Sequence, residues 1–281
     1  HAQSHKMQLN CSISGSGSGP CDDKFESRLP MAEPLSAESQ GSTQGELIRD
    51  YEPAQGSSWR FGKPDYAKVN KTYFKHRTMA HQEGSLEALV QKVLKNWQVE
   101  ADNIADVHKW KTMDSTKFKL AVNGGCPCNA QLLSDVGAPN ILVSETLDYS
   151  GSSNSFEASQ KIFSDAFPDG FAWEVLEVYA GPPNLLFKWR HFGKFSGTYQ
   201  DKHGKKHKGN GEMLNLIGMC LAKVNEKLII ESLDVYYNPE EMTRPLTTSL
   251  VDASQRAIQE DVADSKMGIG GCKSGGNCEI M

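Results

Sequence analysis

After Pro168 the chain changes character, and that change does most to limit the fold. "GFAWEVLEVYAG", "NLLFKWRHFGKF", "GEMLNLIGMCLAKV" and "LIIESLDVYY" follow one another as alternating, aromatic and β-branched runs, joined by Gly/Pro, basic and Asn-Glu-Lys turns. They predict four strands in a meander. Upstream, "GSLEALVQKVLKNWQVEAD" sets Leu86, Leu89, Val90, Val93, Leu94 and Trp97 at helical spacing behind Gly84 and Ser85. This predicts an amphipathic helix of about 17 residues. "DYAKVNKTYFKHRT" and "FEASQKIFSDAF" also read as helical, "IADVHKWKTMD" as a short helix or turn, and "KFKLAVNGG" as a strand closed by an Asn-Gly turn. Helices first and strands afterwards predict an α+β domain in which helices cover one side of a curved antiparallel sheet.

Residues 1–57 are rich in Ser, Gly, Gln and Pro and hold hardly an apolar pair, which predicts a disordered leader; 58–263 carry the domain; the glycines of 264–281 predict a flexible tail. Net charge is −5 and the basic residues are mostly interleaved with acidic ones, so no nucleic-acid partner is expected; "KHGKKHKG" at 202–209 reads as a solvated loop tip. Seven cysteines, an odd number, fit a reducing, cytoplasmic setting better than a disulfide framework, and "CPC" at 126–128 lacks a second ligand pair at zinc spacing. No cofactor and no metal are expected. "CEIM" fits a prenylation box with Cys278 as acceptor and Cys272 as a second acylation site, which predicts peripheral membrane association through the tail.

Alternation along strands assigns faces. Leu185, Phe187, Trp189 and His191 share the apolar face of 185–192, which predicts an inner wall ending on a histidine; Lys188 and Arg190 would look outward. In 228–237 neither face is purely apolar. Were Ile230, Ser232, Asp234 and Tyr236 to face inward, a carboxylate and a phenol would enter a greasy cavity, where desolvation raises a carboxyl pKa towards neutrality. The plainer alternative makes Asp234 a surface ion pair with Lys188 or Arg190. His191 likewise reads as a general acid/base or as a satisfied core residue, His108 as a group closing the open end beside Trp97, and Trp97 as packing or ligand wall.

"WRFGKPDYAKVNKTYFKHRT", "AWEVLEVYAGPP", "FKWRHFG" and "LDVYYNPEEM" resemble successive blocks of the plant and fungal pathogen-related protein family, in the SnoaL-like branch of the nuclear transport factor 2-like fold. The resemblance runs from about Trp59 to Leu246. It implies a cone with a deep pocket at one end and frequently a homodimer through the outer sheet face. It also implies a small apolar ligand, either turned over by cofactor-free acid/base cyclisation, isomerisation or dehydration, or merely bound in a defence or interaction role. In the catalytic case Asp234 is the base, His191 assists and Tyr236 donates a hydrogen bond. In the binding case Trp97, His108, Phe187 and Trp189 are the walls. Asn238 stands where the family often has Asp after the tyrosine pair, which puts any proton transfer at that position in doubt. If Asp234 and His191 project to opposite sides of the sheet, no shared acid/base site exists.

Overall fold

The computed structural model describes residues 51–248. The end of the expected leader is tied down within them: Tyr51 packs edge-on to Trp59 with centroids 6.4 Å apart, and Lys111 Nζ donates to the Glu52 carbonyl at 2.6 Å. The tail expected at 264–281, with Cys272 and Cys278, lies outside the described residues, as does nearly all of the leader.

In chain order the elements are α1 (Ala67–His76), α2 (Leu86–Asn103), a 3-10 turn (Val107–Lys109), β1 (Lys119–Val122), β2 (Cys128–Asn129), α3 (Ala130–Val136) and α4 (Ala138–Leu142). A second 3-10 turn (Gly151–Ser153) and α5 (Phe156–Ala166) complete the helical half. Then come β3 (Ala172–Ala180), β4 (Asn184–Lys194), β5 (Thr198–Gln200), β6 (Lys206–Lys208), β7 (Met213–Val224), β8 (Ile230–Tyr236) and α6 (Glu240–Thr247). Among the described residues no helix is long and apolar enough to cross a membrane.

Local chemistry places the two long helices. Ser85 and Ser155 each accept a hydrogen bond at the start of α2 and α5, from Ala88 N at 3.2 Å and Ala158 N at 3.1 Å, satisfying one of the amides a helix start leaves over. At the other end of α2 the buried Glu100 accepts from the Lys111 and Thr112 amides and from Thr112 Oγ1, so the segment that leads into β1 hangs from the helix. Burial pushes this carboxyl above its ordinary range, and the hydrogen bonds from Thr112 and Lys111 pull it back.

The main sheet has the order β2-β1-β8-β7-β4-β3. The meander strands pair antiparallel, while β1 joins parallel to β8 in the register Lys119↔Ser232. The basic loop tip is the turn of a separate hairpin, β5–β6, whose base Asp201 fixes by accepting from His207 Nε2 at 2.8 Å and from the His203 and Lys205 amides. Register shifts interrupt β3 between Val175 and Glu177 and between Val178 and Ala180, and a further one lies where Lys223 pairs Ser232 but Val224 pairs Ile230. Extra residues of this kind bend and twist a strand, and they curve the sheet around α2 and α5.

Arg190, expected to look out to solvent, is covered instead. Its register partner on β3 is Glu174, which is fully buried; Arg190 donates to it at 2.7 Å, and Thr78 N and Thr78 Oγ1 add bonds of 3.0 Å each. The chain between α1 and α2 is thereby fastened to the outer side of β3 and β4. Removing one partner of such a pair leaves the other charged group buried and uncompensated. Glu174→Ala should therefore cost ~3–5 kcal/mol in chemical denaturation. Glu174→Gln, which keeps an acceptor for Thr78, should recover part of that loss.

Candidate functional site

Between the helices and the inner face of the sheet lies a cavity of about 600 Å³. Helical spacing decides what α2 and α5 contribute. Leu94, Trp97, Gln98, Ala101 and Asp102 fall on one side of α2, and Gln160, Phe163, Ser164 and Phe167 on one side of α5. β4 sends in Phe187, Trp189 and His191, and β7 sends in Leu216 and Cys220. β8 and the residue after it contribute Leu233, Val235 and Tyr237.

Trp189 dominates the floor. Its register partner is Gly218, where a β-carbon would come within 2.3 Å of the indole, so only glycine lets the ring lie flat on β7. Tyr237 meets Trp189 edge-on at 5.5 Å, and its phenol donates to the Leu142 carbonyl at 2.8 Å. Burial holds that phenol well above its ordinary value. Trp97 Nε1–H is buried without an acceptor among the described residues, a donor the fold leaves unused in the wall.

His191 sits at the end of the β4 wall. Its ring lies against Phe171 with centroids 3.8 Å apart, and its Nε2 is 3.3 Å from the Phe171 carbonyl. Asp102, from the last turn of α2, lines the same cavity and accepts from Gln160 Nε2 at 3.0 Å.

Of the residues singled out from sequence, Trp97, Phe187, Trp189 and His191 line the cavity together; Asp234, Tyr236 and His108 do not. Asp234 lies on the opposite face of β8, where its carboxylate accepts from Gly124 N at 3.1 Å and from Tyr236 Oη at 2.6 Å. The neighbouring carboxylate holds the half-exposed Tyr236 phenol above its ordinary value. The reversal has a physical cause. Ile230 and Leu233 are both buried although three positions apart, because the pairing skips Glu231 between Val224↔Ile230 and Lys223↔Ser232. One extra residue moves every later side chain to the other face. Strict alternation from Ile230 would have put Asp234 inside; the bulge puts Val235 there. His108 rides the exposed 3-10 turn after α2, its amide donating to Asp106. Asp234 and His191 therefore share no site.

Asp102, Gln98, Gln160 and Ser164 were missed. The signal was present, since Gln98 and Asp102 continue the Leu94 row at four-residue steps, polar side chains on the buried side of a helix otherwise read only for its apolar stripe.

The fold and site define an α+β protein whose helices and curved sheet enclose an aromatic-walled cavity. The chain belongs to the pathogen-related protein family: a pathogen-related protein of Hordeum vulgare is 32% identical over 187 residues, which cover 64% of this chain and 77% of that protein. No family model matches the chain. Solved structures with similarity include a protein assigned as a SnoaL-like polyketide cyclase from Jannaschia sp., 12% identical, covering 60% of this chain and 99% of that one at a TM-score of 0.33. An NTF2-like protein of unknown function from Exiguobacterium sp. is 10% identical, covering 52% of this chain and 98% of that one at a TM-score of 0.28.

The contact of Trp189 with Gly218 gives a direct test of the cavity floor. Gly218→Val should displace the indole, shift the tryptophan emission and lower stability by the ~1–3 kcal/mol typical of overpacking. Ile217→Val, one residue away on the exposed face, should leave the emission unchanged.

Proposed function

We propose that this protein binds a small, largely apolar molecule in the cavity between α2, α5 and the inner sheet face. One observation carries the reading: a volume of about 600 Å³ walled by Trp97, Trp173 and Trp189, with a few convergent polar groups at Asp102, Gln160 and His191. Cavities of this size and lining suit ligands of a few tens of atoms, oriented by a small number of polar contacts. A role in defence is the corresponding proposal from the name of the barley relative.

The test is native mass spectrometry of the full chain from its source, followed by denaturation and identification of released masses, together with titration of the purified protein with a naphthalene-sized neutral probe followed by tryptophan emission. A saturable one-to-one signal that Gly218→Val abolishes supports the reading. Absence both of a released mass and of saturable probe binding overturns it.

A second reading is favoured by the placement of Asp102 and His191 in one cavity. His191 Nε2–H donates to the Phe171 carbonyl, and a carboxylate and an imidazole lining one cavity could move a proton between two positions of one ligand without redox change. This is the cofactor-free cyclase, isomerase or dehydratase case, with Asp102 replacing Asp234. Asp102→Asn and His191→Gln should each lower turnover of the identified ligand by ~100-fold or more while leaving its binding measurable. Unchanged turnover in both variants would leave binding alone.

A further inference from the structure

We infer that the outer face of α1 docks on a negatively charged lipid bilayer. The helix reads AKVNKTYFKH and carries no carboxylate, and helical spacing divides it into two sides. Thr72 and Tyr73 are buried, and Val69 packs beside them against the small cluster of Tyr73, Ala172 and Phe192. Ala67, Lys68, Lys71, Phe74 and Lys75 fall on the other side and are exposed. Among the described residues no carboxylate pairs with any of these three lysines. Arg77, just past the helix, adds a fourth cation, its guanidinium 5.4 Å from the centre of the Phe74 ring. The carboxylates that adjoin α1 are turned to local tasks. Asp65 accepts from Ala67 N at 2.9 Å, Asp169 from Ser196 Oγ at 3.4 Å, and Glu174 is buried beneath Arg190 and Thr78.

Phe74 distinguishes a lipid surface from other polyanions. Folding leaves this ring 41% exposed between Lys71 and Lys75. An aromatic side chain set among cations on one helix face suits the bilayer interface, where the ring enters the headgroup layer and the lysines meet anionic headgroups. A single-stranded nucleic acid would call for several such rings along a basic groove, and α1 presents one. The chain's net charge of −5 also opposes an extended polyanion, whereas a bilayer needs only a local cluster. The same helix stands at the mouth of the cavity. Of the residues that line the space, Asp65 and Ser164 are the exposed ones, and Tyr66 and Val69 continue the wall from Asp65 into α1. The cavity therefore reaches the surface beside the start of this helix. On the binding reading above, a chain docked through α1 holds that opening next to the bilayer, the phase in which an apolar ligand concentrates.

The experiment sediments the full chain, made in bacteria so that Cys278 carries no prenyl group, with vesicles of phosphatidylcholine alone or with about 30% phosphatidylserine. At about 0.1 M salt the chain should partition about tenfold or more in favour of the anionic vesicles, and about 0.5 M salt should remove the difference. A lysine near such a surface is worth roughly a fivefold change, so Lys68→Gln, Lys71→Gln and Lys75→Gln combined should lower partitioning by about tenfold or more with circular dichroism unchanged. Phe74→Ser should weaken partitioning while leaving its salt dependence in place. Lys205→Gln, Lys206→Gln and Lys208→Gln combined, which remove the exposed lysines of the β5–β6 hairpin, should leave it unchanged. Equal partitioning to both vesicles, none included, would overturn the docking face. So would a larger loss in the hairpin variant than in the α1 variant, or binding to a DNA duplex with none to vesicles. Each of these outcomes leaves the binding reading standing, because titration with the neutral probe tests it without a membrane.

Discussion

The cavity depends on the pairing of β4 with β7, which runs without a break from Asn184↔Lys223 to Lys194↔Met213. Unbroken antiparallel pairing locks parity, so once Leu185 is buried, Phe187, Trp189 and His191 follow it to the same side at two-residue steps. The same register brings Gly218 under Trp189. A side chain at 218 would occupy the volume the indole now fills, and the largest ring of the wall would stand off the sheet instead of lying on it. Everything else at the inner face accommodates this pair. Tyr237 meets the indole edge-on, and the α2 side chains from Leu94 to Asp102 line the same cavity.

The outer face of the same two strands is organised by a different force. Glu174 and Arg190 are register partners, and a carboxylate there would be a poor choice for a buried position were it not met by the guanidinium and by Thr78. Desolvating such a pair makes it weak as a source of net stability, yet costly to break. It works as a location device: the chain between α1 and α2 can settle only where its amides meet Glu174, and that choice sets where α2 begins its run across the cavity.

The helices and the β4 wall were legible because each rests on one consistent pattern. Six apolar residues at helical spacing behind a Ser cap admit one reading for α2, and three apolar residues and a histidine at two-residue spacing admit one for β4. β8 carried two patterns of nearly equal quality, and a single unpaired residue at Glu231 decided between them. No local rule announces that bulge; it is stabilised across strands, by Lys117 and Lys223, which pair with Glu231 at 2.8 Å and 3.4 Å. The polar half of the cavity was hidden for a related reason. Asp102 and Gln160 are unremarkable surface residues in sequence, and they become a site only because α2 and α5 turn the same flank toward the sheet.

The outer cluster then explains why a carboxylate stands at 234 without entering the cavity. Asn123 and Gly124, both with left-handed backbone (φ 53° and 69°), turn the chain at the end of β1. That turn is held to β8 by Asp234 accepting from Gly124 N, and by Asn123, whose amide group exchanges hydrogen bonds with the Tyr237 backbone at 2.9 Å and 3.0 Å. Fixing the Tyr237 backbone aims its phenol across the cavity at Leu142. Asn238, the departure from the family pattern, turns out to accept from Glu240 N at 3.1 Å at the start of α6, a task for which Asn and Asp are equivalent. Neither position needs to exchange a proton. The acidic and amide side chains of the last strand are thus engaged in local hydrogen bonds, and the carboxylate that lines the inner cavity beside the sheet comes from α2.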